Sequence, residues 1–280
     1  MSMKTIDYLL TFVGLTEDEI VSLVKKTNIK GHLIIGNQKC SQYSETHIKL
    51  PDCVIDIFNL TSKGVSKNRN FLLEKSQSDY VSFLDDDISL NAESLNAIDT
   101  KLQDIAKKDT SIRFNVVSTN PERPIRQLSN SKKLKLFSLR QFGVWGIYFN
   151  REYLIKNNLR FREYVGPGTS INHGEDYIFL SDYFKSGGKM IQFNEVAMFA
   201  KQQESTWQGE NRNIQNELFA HGHNYRILYK NMAKLFLFIH MLKHKKYYQN
   251  KDFTFMQTYK IGVEGIKFRK SIEKGLAKYE

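Results

Sequence analysis

The amino-acid sequence predicts an α/β protein with a mixed, mainly parallel sheet flanked by helices and a basic helical extension behind it. Over roughly the first 90 residues, short apolar runs alternate with amphipathic helical patterns, which is typical of a parallel sheet with helical crossovers. Apolar residues make up 41% of the 280, which is enough for a large core. The formal net charge of +11 is concentrated in the last 60 residues, where there are 13 Lys and Arg but only 4 Asp and Glu.

The first part of the pattern has the order β-α-β-β-α-β. Its strands are short apolar runs, and its first helix opens with Thr16 before three consecutive acids, which is typical of a helix N-terminus. The predicted strands cover residues 7–14, 31–36, 53–58 and 80–84, and the predicted helices cover 17–27 and 67–75. Parallel strands joined in this way end at one edge of the sheet, where open α/β folds bind ligands.

The second part continues the alternation and then becomes helical. Predicted helices cover residues 91–107, 151–157 and a segment from Glu175 to Gly187, and predicted strands cover 112–118, 144–149, 190–193 and 196–199. Residues 121–135 are polar and basic and predict a loop. Beyond Asn211 the apolar spacing is helical, so we predict one domain over residues 1–210 and a basic helical extension over 211–280.

The strand at residues 80–84 is followed directly by three carboxylates, Asp85, Asp86 and Asp87. Adjacent negative charges repel one another, so a cation is expected to neutralise them, and a hard divalent ion with oxygen ligands fits best. Such an ion would stabilise the charge that builds up on a departing diphosphate. A solvated acidic turn is the alternative interpretation.

A second acidic pair, Glu175 and Asp176, follows a glycine at the start of a predicted helix. A carboxylate in this position could remove a proton from an attacking hydroxyl as a general base. The alternative is that the pair only complements the helix dipole. His173, His221 and His223 are candidates for a metal ligand or a base, although a single histidine is more often structural.

Three motifs in this order resemble a known family. Residues 64–70 (GVSKNRN) precede residues 80–87 (YVSFLDDD), and residues 174–180 (GEDYIFL) follow about 90 residues later. The order resembles the core of GT-A-fold, family 2-like glycosyltransferases of the bacterial polysaccharide and capsule type, over roughly residues 5–205. The resemblance implies an inverting enzyme that moves a sugar from a nucleotide-diphosphate sugar, with a UDP-sugar as the expected donor, to a hydroxyl of a glycan or lipid-linked acceptor.

The resemblance also implies roles for individual residues. Asp87 would bind Mn²⁺ or Mg²⁺ on the diphosphate, as in a DXD motif. Asp176 would be the general base, and Glu175 would hold the acceptor. The nucleotide would be bound by Thr11, Phe12, Asn37, Ser66, Arg69, Asp85 and Asp86.

Two positions depart from the family pattern. The second predicted strand ends in residues 36–38 (GNQ) rather than in an acid-rich turn. Relatives often carry a metal-binding histidine near the end of the last strand, where this chain has residues 199–203 (FAKQQ). We therefore expect either that Lys201 replaces the charge of the metal or that His221 or His223 supplies the ligand, and His223 is the predicted one.

The sequence lacks a basic-then-apolar leader and an apolar stretch of about 18 residues, so we expect a cytoplasmic protein without a spanning helix. The two cysteines, Cys40 and Cys53, lack metal-type spacing. The basic extension would approach an anionic membrane surface at the inner face of the cell membrane, with residues 235–242 in the interface plane. Ordinary packing of this helix, with solvated lysines, is the alternative, and oligomer formation is open.

Two other functions are open at this point. A GT-A-like sugar nucleotidyltransferase would need a basic, glycine-rich loop near the N-terminus, which the sequence lacks. A nucleic-acid-binding protein would use the basic extension, but the sequence contains no recognisable nucleic-acid-reading motif. We therefore expect no nucleic-acid partner.

Overall fold

The computed structural model describes residues 4–105, 110–135, 143–202 and 213–276. These residues contain ten strands and nine α-helices. The strands are β1 (Ile6–Val13), β2 (Gly31–Gln38), β3 (Ser44–Lys49), β4 (Cys53–Asn59), β5 (Tyr80–Leu84), β6 (Ile88–Ser89), β7 (Thr110–Ser118), β8 (Lys132–Lys133), β9 (Ile147–Asn150) and β10 (Lys189–Ala200). The helices are α1 (Glu17–Thr27), α2 (Val65–Lys75), α3 (Ala92–Asp104), α4 (Arg151–Lys156), α5 (Glu175–Lys185), α6 (Ile214–Tyr229), α7 (Ala233–Lys243), α8 (Lys245–Gln249) and α9 (Phe255–Leu276).

The strands form one sheet with the order β3-β4-β2-β1-β5-β9-β7-β10-β6, and β8 pairs with β10. β4, β2, β1 and β5 run parallel to one another, as do β7 and β10. β3, β6, β8 and β9 are antiparallel to their neighbours. The predicted mixed, mainly parallel sheet flanked by helices is therefore confirmed, and β1, β2, β4 and β5 end at one edge of it.

The central strands are buried on both faces of the sheet. All five residues of β5 are buried. In β1, Leu10 packs into the apolar cluster on one face and Leu9 into the cluster on the other. Strands that are covered on both faces take apolar side chains in nearly every position, which is why they appear in the sequence as largely apolar runs.

Several elements differ from the sequence prediction. The two-residue strands β6 and β8 were not predicted, and β8 lies within the predicted loop 121–135. Strand β3 was not predicted, because its residues alternate between partly buried and exposed and so give no apolar signal. Strand β10 is continuous where two short strands were predicted, since an irregular register between Gln192 and Val196 interrupts the apolar pattern without ending the strand. Helix α3 ends at Asp104, and residues 106–107 of the predicted helix lie outside the described residues.

The C-terminal helices pack on each other and on the first part of the chain. α6 and α9 cross where Gly222 meets Gly262, and a Cβ at Gly222 would overlap the carbonyl oxygen of Gly262. Ala220 and Ile227 of α6 share an apolar cluster with Ile178 of α5. The predicted boundary between residues 210 and 211 lies outside the described residues. Among the helices that the structure describes, none has the length and apolar character needed to cross a membrane.

Candidate active site

The acidic turn lies at the carboxyl end of β5, beside the end of β1. Asp86 is exposed, whereas Asp85 and Asp87 are partly buried. The amide of Lys201 donates to the carbonyl oxygen of Asp87 at 3.1 Å, and the amide of Gln202 donates to Oδ2 of Asp87 at 2.9 Å. The end of β10 therefore fixes the position of Asp87.

Arg69, on α2, joins the two acidic motifs. Its Nη2 donates to Oδ1 of Asp85 at 3.1 Å, and its Nη1 donates to Oδ1 of Asp176 at 2.6 Å. Oε1 of Glu175 lies 3.9 Å from the same Nη1. The Arg69 side chain is only 4% exposed, and its guanidinium carbon lies 5.3 Å from the centre of the Phe161 ring. Carboxylates from distant parts of the sequence thus form one charged cluster around a buried arginine.

In this cluster one guanidinium is shared by three carboxyl groups. Burial raises the pKa of Glu175 to about 7; the charge of Asp176 adds to the effect, and Arg69 opposes it. Burial also raises the pKa of Asp85 to about 6, although Arg69 opposes that shift as well. The cluster therefore favours bound protons or a bound cation, and two of its carboxyl groups change protonation near neutral pH.

The N-terminus of α5 is held in place from two sides. Gly174, the residue before this helix, has a φ of 96°, and a Cβ there would overlap Nδ2 of Asn224 on α6. The same amide nitrogen donates to the carbonyl oxygen of His173 at 2.7 Å. Oδ2 of Asp176 accepts from the amide of Val144 at 3.2 Å. The C-terminal extension and the segment before β9 therefore position the acidic pair.

Three residues that were predicted to contact the nucleotide are buried and contact other parts of the protein. Asn37 is 1% exposed. Its Oδ1 accepts from the amide of Leu15 at 3.1 Å, and its Nδ2 donates to the carbonyl oxygen of Leu15 at 2.7 Å. Ser66 is 0% exposed and donates to the carbonyl oxygen of Val165 at 2.5 Å. Phe12 is buried in the core. Because the polar atoms of Asn37 and Ser66 are bonded within the protein, these side chains position the loops around the site.

The start of α2 is fastened to the end of β2. Nδ2 of Asn68 donates to the carbonyl oxygen of Gly36 at 2.7 Å, and a Cβ at Gly36 would overlap this side chain. Oε1 of Gln38 accepts from the amide of Gly64 at 2.7 Å. Position 36 therefore requires glycine. The hydrogen bonds of Asn68 and Gln38 fix the position of α2, and with it Arg69, relative to the sheet edge.

His223, the predicted metal ligand, is enclosed within the protein. Its ring is fully buried against Tyr164 and Phe268, and its Nδ1 bonds Oδ1 of Asn224 at 3.0 Å. Burial lowers the pKa of this histidine. The structure thus places His223 in the packing between α6 and α9.

The other candidate histidines form a row with two more. Nε2 of His173 lies 3.3 Å from Nδ1 of His221, and the row continues through His240 and His244, with ring centres 4.4 and 4.5 Å apart. Within the described ranges, no group of three or more His, Cys, Asp or Glu side chains is arranged to hold a metal ion.

The acidic turn fits a different kind of metal site. Mg²⁺ at nucleotide sites is usually held by one or two carboxylates together with the phosphates of the substrate, so it needs no cage of protein ligands. Asp87 lies at the sheet edge, and only its Oδ2 is engaged by a protein amide in the part of the chain that the structure describes. Asp87 therefore suits an ion that is shared with a bound diphosphate.

Sequence reasoning missed three contributors to the site: Asn224, Phe161 and the amide of Val144. Phe161 and Val144 have no pattern around them that indicates a role. Asn224 gives a weak signal, since an asparagine inside a helix is unfavourable unless its side chain has a partner.

The chain matches the model of the family described as Glycosyl transferase family 2 over residues 36–174. S. aureus TarS 1-349 in complex with UDP-GlcNAc has the same fold, with a TM-score of 0.58 and 12% identity over 86% of this chain and 72% of that one. TarS 1-349 by itself aligns with a TM-score of 0.57 and 11% identity over 97% of this chain and 92% of that one. The chain spans 43% of a longer TarS structure, with a TM-score of 0.56. No curated protein matches it.

The family match includes Arg69 and the acidic turn and ends at Gly174, where α5 begins. The fold places these segments at the edge of the sheet where α/β enzymes bind their ligands. Residues 36–174 are therefore similar to Glycosyl transferase family 2, and the chain has the GT-A type of fold that the TarS structures show.

Proposed function

We propose that the protein is an inverting, metal-assisted glycosyltransferase that moves a sugar from a UDP-sugar to a hydroxyl of a glycan or lipid-linked acceptor. The observation that carries this proposal is the convergence of Asp85, Glu175 and Asp176 on the buried Arg69. The motif that would face the donor and the motif that would activate the acceptor are therefore one side chain apart, which suits a direct displacement between two bound substrates.

The donor would lie at the ends of β1, β2 and β5. Thr11 is partly exposed and Asp86 exposed at this edge, so both are accessible to a nucleotide. Asp85, oriented by Arg69, would face the nucleotide between Thr11 and Asp86. The TarS structures in complex with UDP-GlcNAc and with UDP support a UDP-sugar as the donor class.

Asp87 would hold Mn²⁺ or Mg²⁺ against the diphosphate of the donor, and the bound ion would neutralise the charge of the leaving diphosphate. Burial and the charge of Asp87 raise the pKa of Asp86, which supports a place for positive charge here. Lys201 offers a second source of that charge, because its amide bonds the backbone of Asp87 and its side chain is exposed.

Asp176 would be the general base. In one step the acceptor oxygen bonds to the anomeric carbon, the bond from that carbon to the diphosphate oxygen breaks, and the hydroxyl proton passes to Asp176. Attack from the face opposite the leaving group inverts the anomeric centre. Arg69 and the amide of Val144 orient Asp176 for this transfer, and Glu175 would hold the acceptor hydroxyl.

We place the reaction in the synthesis of a bacterial polysaccharide or capsule, at the inner face of the cell membrane, with a lipid-diphosphate-linked glycan as the acceptor. The support is the charge of the last 60 residues, which contain 13 Lys and Arg but only 4 Asp and Glu. Such a region attracts anionic partners. The protein would then be peripheral to the membrane.

A thermal-shift panel of sugar nucleotides, with and without Mn²⁺, tests the proposal. We expect a UDP-sugar to raise the Tm, and to raise it further with Mn²⁺, since a ligand at about 100 times its Kd stabilises a protein by about 2.7 kcal/mol. Asp87→Asn should lose the increment that Mn²⁺ provides, whereas Asp52→Asn, at an exposed position far from the turn, should behave like the wild type. A panel in which no sugar nucleotide changes the Tm would contradict the proposal.

A further inference from the structure

One face of α7 exposes large apolar side chains to solvent. The exposed fractions are 54% for Met232, 50% for Leu235, 40% for Phe238, 49% for Ile239 and 52% for Leu242. Met232 directly precedes the helix, and the other four recur at helical spacing along its length. Single exposed apolar residues are ordinary, but a continuous stripe of five on one short helix marks a contact surface.

The opposite face of α7 is also apolar and is already in use. Ala233, Leu237 and Met241 are at most 1% exposed and belong to the apolar cluster of the C-terminal helices. Leu237 packs at Gly262 of α9, where a Cβ would overlap its methyl groups. This buried face fastens the helix, and Phe238 of the stripe also packs its ring against Phe255 and Tyr259 of α9. The other four side chains of the stripe are at least 49% exposed.

The surroundings of the stripe are strongly basic. Between Glu217 and Asp252 the sequence has no acidic residue and seven Lys and Arg. Four of these lysines are exposed on or directly beside α7: Lys234, Lys243, Lys245 and Lys246. Apolar side chains with lysines around them are the arrangement by which helices bind in the plane of an anionic membrane surface.

We propose that the stripe, Met232 to Leu242, docks the protein on an anionic lipid bilayer, with α7 lying parallel to the bilayer plane. The apolar side chains would enter the boundary between headgroups and acyl chains, and the lysines would contact lipid phosphates. This docking rests on the proposed function, because it would bring the enzyme to the membrane in which a lipid-linked acceptor resides.

A second copy of the chain fits the stripe less well. Two copies that met through α7 would bring their lysines together, and like charges at a contact oppose association. The helix has 11 residues and is therefore about 16 Å long. One helix face about 10 Å wide is far smaller than the about 800 Å² per partner that a stable protein interface buries.

Sedimentation of the full chain with lipid vesicles tests the proposal. We expect binding to vesicles of equimolar phosphatidylglycerol and phosphatidylcholine, and much weaker binding to phosphatidylcholine alone. Ile239→Ser should weaken binding to the anionic vesicles about tenfold, since it removes an inserted side chain. Ile155→Ser, the same change at a side chain on α4 that is 37% exposed, should have no effect.

The lysines have a matched test of their own. Lys245→Gln with Lys246→Gln should weaken binding to anionic vesicles and reduce its salt dependence, whereas Lys25→Gln with Lys26→Gln on α1 should not. Equal binding to both kinds of vesicle, wild-type binding by Ile239→Ser, or a dimer in solution that Ile239→Ser dissociates would each overturn the proposal. Thermal shift with UDP-sugars on the same variants keeps the two proposals apart, because donor binding does not depend on α7.

Discussion

Replacing Glu175 by glutamine should stabilise the free protein at pH 8 and change little at pH 4.5. Burial raises the pKa of Glu175 from 4.5 to about 7 in the folded protein. Since the folded-state pKa is above the unfolded-state pKa, the stability contributed by protonated Glu175 is fully present at pH values below the unfolded-state pKa. It is lost as the pH rises through the folded value. The difference between the two pKa values corresponds to about 3 kcal/mol of unfolding free energy.

Urea denaturation of the wild type and of Glu175→Gln at both pH values measures this difference. The variant should exceed the wild type by about 3 kcal/mol at pH 8 and by less than about 0.5 kcal/mol at pH 4.5. Glu93→Gln is the control, because Glu93 is exposed in the first turn of α3 and its replacement removes only a small dipole contribution. If the unfolding free energies of Glu175→Gln and the wild type had the same pH dependence, the conclusion that burial raises the pKa of Glu175 beside Arg69 would be refuted.

Three further predictions concern the same site. Arg69→Lys should weaken donor binding in a calorimetric titration and lower the unfolding free energy by about 2–3 kcal/mol, since an ammonium group cannot bond two carboxylates as the guanidinium does; unchanged stability would contradict this. Gly174→Ala should lower kcat at least about tenfold, because its methyl group would overlap Asn224, whereas Gly187→Ala, at a φ of 93° where a Cβ would make only an ordinary contact with Tyr153, should affect stability only. Equal kcat losses would contradict the positioning of α5. Asp87→Asn should make donor binding insensitive to EDTA, and a persisting Mn²⁺ effect would exclude Asp87 as the metal ligand.

The central fold was predictable because its signals are local. Strands β1, β2 and β5 are buried on both faces, so each appears as an apolar run that needs no knowledge of its neighbours. Strand β3 gave no such signal, since it lies at the sheet edge and its partly buried side chains alternate with exposed ones. Its place is set by pairing with β4 and not by its own composition.

The acidic motifs of the site were predictable, but the contacts that join them were not. The acidic turn and the pair Glu175-Asp176 are local motifs, and both occupy positions at element ends as expected. Their common partner, Arg69, follows only from the folded chain, because it bonds residues 16 and 107 positions away. A motif also does not distinguish a side chain that touches a ligand from one that holds a loop, and so Ser66 was expected at the nucleotide but bonds Val165.

The most direct test of the central claim, that Asp176 is the base of a glycosyltransferase built around Arg69, is the turnover of a bound UDP-sugar by Asp176→Asn. We expect this variant to bind the donor with a Kd within about threefold of the wild type and to transfer its sugar about 10²- to 10⁴-fold more slowly. Asp182→Asn, six residues further along α5 and paired with Arg162, should retain turnover. Wild-type turnover by Asp176→Asn at saturating donor would contradict the assignment of the base and of the mechanism that depends on it.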